Sequence, residues 1–219
     1  VAFDPNGQHA HIIVLLDIEI GRRLDLETWT QAEHPNLSAW YIAHAEGEPS
    51  KVEQNGVEMA AAGSIAEVET TESSWYFDAS TARLYVHVIG DGEPVDGSPY
   101  LQSYHWSRHA NEVFEFMGHA YRPDLDVSAM PDVSAETGEY HEGGTAQSFG
   151  SIVLLNGDGF YDTLLDTYIW EARRFIIRVG ERDKGDANFE IVVDGWTGSI
   201  EWTDEKIDIG TEDLQTNLL

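Results

Sequence analysis

Cysteine is absent from the 219-residue chain, which excludes disulfides, thiolate zinc sites and iron–sulfur clusters and leaves the redox compartment open. Lysine is nearly absent, with Lys51, Lys184 and Lys206 the whole set. Long apolar runs are missing too: the longest, Ile12 to Leu16, falls far short of the roughly 20 residues of a membrane helix, and no basic segment precedes it as in a signal peptide. There is no Gly-rich phosphate loop, dinucleotide fingerprint, His-Glu-x-x-His motif or Gly-x-Ser-x-Gly nucleophile elbow. Nucleotide-binding, zincin and α/β-hydrolase folds are therefore not expected.

What is abundant is negative charge. Forty acidic residues stand against 12 basic ones, a formal net charge of -28. Affinity for phosphate comes from clustered Lys and Arg, so direct nucleic-acid binding is not expected. Excess Asp and Glu with scarce lysine fits a halophilic solvent, where salt shortens the Debye length to about 3 Å at 1 M. The chain is long enough to bury a core without cross-links, as one large or two small domains. It begins at Val1 and not at a methionine, as a chain that has lost an initiator or a longer leader would, and it ends at Asn217-Leu218-Leu219, directly after a patterned strand, as a truncated version of something longer would.

Strands dominate the pattern. Leu16-Asp17-Ile18-Glu19-Ile20 ends a run from Ala10 and places Leu16, Ile18 and Ile20 on one face of a half-buried strand. Further strands are predicted at Leu37 to Ala43, Ile65 to Glu69, Ser74 to Phe77, Arg83 to Ile89 and Tyr100 to Trp106, separated by turn signals such as Glu46-Gly47-Glu48-Pro49, Gln54-Asn55-Gly56 and Asp78-Ala79-Ser80. The helical candidates are Ala110 to Phe116 and Tyr161 to Tyr168. This spacing predicts a mainly β fold of two antiparallel sandwich-like or barrel-like domains with few short helices. The expected domains are 1–122 and 149–219, joined across 123–148, where Pro, Asp, Ser, Glu and Gly replace large apolar residues.

In the C-terminal region Ser151 to Leu155 reads as a buried strand and Asn156-Gly157-Asp158-Gly159 as its turn. Arg174 to Val179, Phe189 to Val193 with a turn at Asp194-Gly195, and Ile200 to Ile209 complete a meander of about four strands. Phe160, Tyr161, Trp170, Trp196 and Trp202 are large apolar side chains suited to a core or an interface.

The order of these residues carries a resemblance. Asn156, Asp158, Gly159, Tyr161 and Asp162, then Trp170, Glu171 and Arg173, then Trp202, Asp204 and Lys206 follow an arrangement similar to a segment of tail-tip and baseplate structural proteins of tailed viruses, over about a third of the chain. The resemblance implies a non-enzymatic virion protein at the distal end of the tail tube, without cofactor. It would assemble with copies of itself and with other tail proteins in a threefold or sixfold ring, with the 118–149 loop reaching a neighbour and an acidic lumen that repels passing DNA.

Other chemistries compete with it. Asn156, Asp158, Asp162 and Asp166 set oxygens at tight intervals, as calcium would require, but the fifth, sixth and twelfth positions from Asn156 are Phe160, Tyr161 and Thr167. An EF-hand loop needs an oxygen ligand, glycine and glutamate there, so no metal is expected. His105, His109 and His119, with His9 and His11, are histidine candidates without a metalloprotease motif. Acidic pairs and seven tryptophans are what glycosidases use, yet no pair is singled out by an apolar setting. The alternative function is an extracellular carbohydrate-binding β-sandwich presenting Trp29, Trp40, Trp75 or Trp106 to sugar rings. A calcium-dependent adhesin comes third.

Overall fold

The structure, a computed structural model, describes residues 11–32, 38–90, 93–94, 100–128 and 151–212. His9, Ala10, Leu37, positions 129–149 of the expected connection and loop, and Asn217 to Leu219 lie outside them. The fold is mainly β. In chain order the elements are β1 (Ile12–Arg23), β2 (Thr30–Gln31), β3 (Trp40–Ala43), β4 (Lys51–Gln54), β5 (Val57–Glu58), β6 (Ala60–Ala61), α1 (Ile65–Thr70), β7 (Ser74–Asp78) and β8 (Arg83–His87). There follow β9 (Leu101–Ala110), β10 (Phe114–Phe116), β11 (His119–Tyr121), β12 (Ser151–Leu155), α2 (Phe160–Thr167), β13 (Tyr168–Ile169), β14 (Arg174–Glu181), β15 (Glu190–Trp202) and β16 (Lys206–Glu212).

The chain divides into two compact units, but not at Pro123. One unit combines Val1–Glu19 with Ser107–Leu219, and the other is Ile20–Trp106. The expected split at 122 fails because β1 pairs with β14 across the whole chain, Ile12 opposite Glu181 through Ile18 opposite Phe175. Leu125, in the expected connection, is buried and bridges Leu154 of β12.

In the discontinuous unit the sheet order is β12-β16-β15-β14-β1, antiparallel throughout. β1 is not half-buried as expected: Ile13, Leu15, Leu16, Asp17 and Ile18 are all buried, so both faces are covered. Asp17 is tolerated there because it accepts a hydrogen bond from Tyr121 Oη at 2.8 Å and pairs with Arg178, with Arg108 Nε at 3.5 Å. β15 runs straight through Asp194-Gly195, where a turn was expected, because Asp194 stays in register with Ile176 and forms a two-pronged ion pair with Arg174 at 2.9 and 2.6 Å. The expected strand Ile200 to Ile209 is instead a hairpin, since Thr203 Oγ1 accepts from the Glu205 and Lys206 amides and turns the chain. β12 returns to β16, so the β14-β15-β16 meander has β12 beside its last strand and β1 beside its first.

One close approach fixes this packing. A Cβ at Gly180 would meet the Phe189 ring at 2.7 Å, and that ring packs at a tilt against Phe114 and Phe116 with centroids 5.3 and 5.0 Å apart. Gly180→Ala is expected to cost about 1–3 kcal/mol by overpacking, read as a lower urea midpoint with unchanged slope; a variant as stable as the parent would contradict this packing.

The segment Ala110 to Phe116, read as helical, instead ends β9 and forms a β-hairpin, Phe116 opposite His119. Met117 and Gly118 turn it with φ of 50° and 79°, the paired positive values of a tight hairpin turn. The expected helix Tyr161 to Tyr168 is α2, one residue earlier.

In the continuous unit β2-β3-β8-β7-β6 form one sheet, antiparallel except for the parallel β6–β7 pair. β4 pairs with β9 on one side and β5 on the other. The core gathers Leu24, Trp29, Ile42, Val52, Met59, Trp75, Leu84, Val86, Val88 and Leu101. Ile65 to Glu69 alternates like a strand but forms α1, because Ser64 accepts from the Glu67 amide at 3.3 Å while Glu67 reaches back to the Gly63 amide at 2.7 Å, a reciprocal cap that closes the first turn.

Candidate functional site

The residues of the resemblance gather at one end of the discontinuous unit's sheet. The turn after β12 is held by Asn156, whose amide donates to Glu205 O at 2.7 Å and whose Oδ1 accepts from the Tyr161 amide at 3.1 Å. Its Nδ2 donates to Asp162 at 2.8 Å. Asp158 pairs with Arg122, which lowers its carboxyl below the ordinary range. These oxygens serve the turn and do not converge on one point; among the described residues no three His, Asp or Glu side chains are placed to hold a metal ion.

Beside that turn lies a groove of about 190 Å³ lined by Leu165, Tyr168, Ile169, Trp170, Glu171, Ile200 and Trp202. α2 and the short β13 supply one wall and the end of β15 the other. Trp202 is 62 % exposed. Trp170 is buried, packs edge-on against Tyr161 at 5.9 Å between centroids, and its carbonyl accepts from Thr197 Oγ1. The five aromatic candidates therefore separate: Tyr161 and Trp170 are core, Trp196 is half-buried on β15, and Phe160 and Trp202 are exposed.

Behind α2 runs a buried polar relay. Ser107 and His109 stand two apart on β9, so both side chains take the same face of the strand. Ser107 Oγ lies 2.8 Å from His109 Nε2, and His109 Nδ1 lies 3.0 Å from Asp124 Oδ1. Tyr161 Oη donates to Asp124 Oδ2 and lies 2.9 Å from His109 Nδ1. Burial and the adjacent Asp124 push the Tyr161 hydroxyl far up, so it keeps its proton. Arg122 Nε sits 2.7 Å from Asp124 and its guanidinium lies 3.9 Å from the centroid of the Phe160 ring. His109, Asp124 and Tyr161 are buried, whereas Ser107 is partly exposed.

No family model, curated protein or solved structure matches this chain.

The histidines go to different places. His105 pairs with buried His44 in the continuous unit, Nε2 to Nε2 at 3.0 Å, while His109 belongs to the relay. His11 meets Glu112 at 3.1 Å and His119 is exposed. Of the tryptophans considered for sugar stacking, Trp29 and Trp75 are core, 4 % and 5 % exposed, so neither offers a flat face; Trp40 and Trp106 are half-buried. Sequence reasoning missed Ser107 and Asp124. The Ser-x-His spacing on an alternating strand was a readable signal for the first; Asp124 comes from a segment whose composition marked it as connection.

Proposed function

We propose that the chain is a structural protein of the tail tip or baseplate of a tailed virus and that its work is assembly with copies of itself in a ring. The carrying observation is the open groove with exposed Trp202, which falls inside the segment whose residue order resembles such proteins. A large, rigid, exposed indole beside Leu165, Ile169 and Ile200 is the anchor type that interfaces use at their centre. The turn before α2 is braced by Asn156 and by the Arg122–Asp158 pair, and α2 supplies Leu165 to the groove. Charge sets the condition: copies carrying a formal -28 each approach one another when salt screens them, which is the reading's link to a saline habitat.

The test is Trp202→Glu. The side chain is exposed, so the thermal midpoint of the isolated chain is expected to move by less than about 2 °C. Under conditions where the parent assembles, the variant is expected to elute as a monomer in size-exclusion chromatography with light scattering. An oligomer retained in the variant would remove this face from the interface. A monomeric parent that binds immobilised glycans, with its indole emission changing, would favour the carbohydrate-binding reading, for which Trp202 and exposed Glu171 would be the stacking and hydrogen-bonding groups.

A further inference from the structure

We propose that Ser107 is an activated nucleophile, with His109 as its general base and Asp124 and Tyr161 as positioning residues, and that it takes the acyl group of small carboxylic esters. This goes beyond assembly and does not depend on it.

In a neutral imidazole one nitrogen donates and the other accepts. Asp124, a carboxylate, only accepts, so the contact at 3.0 Å makes Nδ1 the donor. Nε2 is then the acceptor, and it lies 2.8 Å from Ser107 Oγ, within reach for taking the hydroxyl proton. Nucleophile, base and orienter thus meet through the nitrogens that acyl transfer requires, and such a constellation is recognised by geometry and roles, not by position in the sequence. Tyr161 strengthens the assignment: its proton goes to Asp124 Oδ2, so the carboxylate stays an acceptor and is held from a second side. Arg122 at 2.7 Å balances the charge of Asp124. Three of the four groups are buried and Ser107 is partly exposed, so the serine is the least buried end of the relay. The groove near Trp202 does not include Ser107, so no wall of that groove holds an acyl or alkoxy group, and a small ester is the class proposed.

In the reaction the Ser107 oxygen bonds to the ester carbonyl carbon as His109 Nε2 accepts its proton. The bond from that carbon to the alkoxy oxygen breaks, and the imidazolium returns the proton to the departing alkoxide, releasing an alcohol. Water then attacks the acyl-serine with Nε2 as base, and the Ser107 oxygen leaves and recovers a proton. The sum is ester plus water giving acid plus alcohol.

The full chain is treated with diisopropyl fluorophosphate, and the modified peptide is identified by mass spectrometry, with turnover followed on 4-nitrophenyl acetate. The expected result is one adduct per chain, on Ser107, and loss of ester turnover with it. Ser107→Ala should give neither, with unchanged far-UV circular dichroism, and Asp124→Asn should slow labelling at least about 100-fold through the wrong tautomer. Because the chain contains no cysteine, the Ser107→Cys variant carries a lone thiol. Activated by His109, that thiol is expected to react with iodoacetamide at pH 7 at least about tenfold faster than free cysteine, as a base-paired thiol does. A parent without an adduct at Ser107, a Ser107→Ala variant that still turns over the ester, or a Ser107→Cys variant whose thiol reacts no faster than free cysteine would overturn the proposal and leave the relay as a tether between β9 and α2.

Discussion

Replacing Asp17 with alanine is expected to destabilise the discontinuous unit by about 3–5 kcal/mol, the usual cost of removing one partner from a buried charge network. The carboxylate is 6 % exposed in the middle of β1. It accepts from Tyr121 Oη at 2.8 Å, pairs with Arg178 and lies 3.5 Å from Arg108 Nε. Without it, two guanidinium groups share a pocket with no anion between them, and the Tyr121 hydroxyl loses its acceptor. Burial, together with Asp17, pushes the Tyr121 hydroxyl well above its ordinary range, so this side chain stays a donor and cannot replace the lost charge. Asp17 also ties three parts of the chain together, since Tyr121 ends β11 and Arg178 lies on β14. Urea denaturation measures the effect: a midpoint shift worth less than about 1 kcal/mol would mean the ion pair is solvated and the strand gains nothing from it.

The second large effect is acid sensitivity of the continuous unit. His44 is fully buried and His105 half-buried, their Nε2 atoms 3.0 Å apart. At that distance the pair shares one proton at most. Burial, then the neighbouring His44, lowers His105 from 6.5 to about 4, and burial lowers His44 as well. The surrounding charges are Glu46, 3.4 Å from His44 Nδ1, and Arg22, which pairs with Glu46 and with Glu27 at 2.6 Å; Phe77 closes the site edge-on to His44. The unfolded chain binds more protons at these histidines than the folded one between about pH 6.5 and 4, so stability rises with pH across that window. It is fully present above about 6.5 and is lost as pH falls toward about 4. For His105 alone the loss is on the order of 3 kcal/mol. Urea midpoints at pH 7.5 and 4.5 should therefore diverge more in the parent than in His105→Gln, where the acid response of the carboxylates and of buried His44 remains and that of His105 is gone. Equal divergence in both would place the acid sensitivity elsewhere.

Several elements were legible in the sequence because their determinants are local. Ser151 to Leu155 is β12 to the residue, bounded by Asn156 and the glycines after it. Asn55-Gly56 turns the β4–β5 hairpin with φ of 52° and 77°, as that dipeptide announces. Met117-Gly118 makes the same kind of turn without the asparagine signal, so the segment before it was read as helix. Ile65 to Glu69 shows the opposite case: its alternation predicts a strand, while the Ser64-x-x-Glu67 cap makes it a helix.

What escaped was non-local. Nothing in residues 12–18 states that their partner is β14, and so the domain boundary was drawn where composition changed and not where pairing does. The relay has the same character: β9, the segment after β11, and α2 each bring one or two polar groups that mean little until they meet. Tyr161, Trp170 and Trp202 share one expectation in the sequence, core or interface, and burial separates the two that fill the core from the one that faces outward.

Assembly is the central claim, and the mass of the purified chain in solution tests it most directly. Light scattering would be run at about 0.1 M and about 2 M salt, the span over which the Debye length falls from about 10 Å to below about 3 Å. The account predicts a defined trimer or hexamer at the higher salt, dissociating as salt is withdrawn and the net charge of -28 per copy is unscreened. A monomer at both would contradict it.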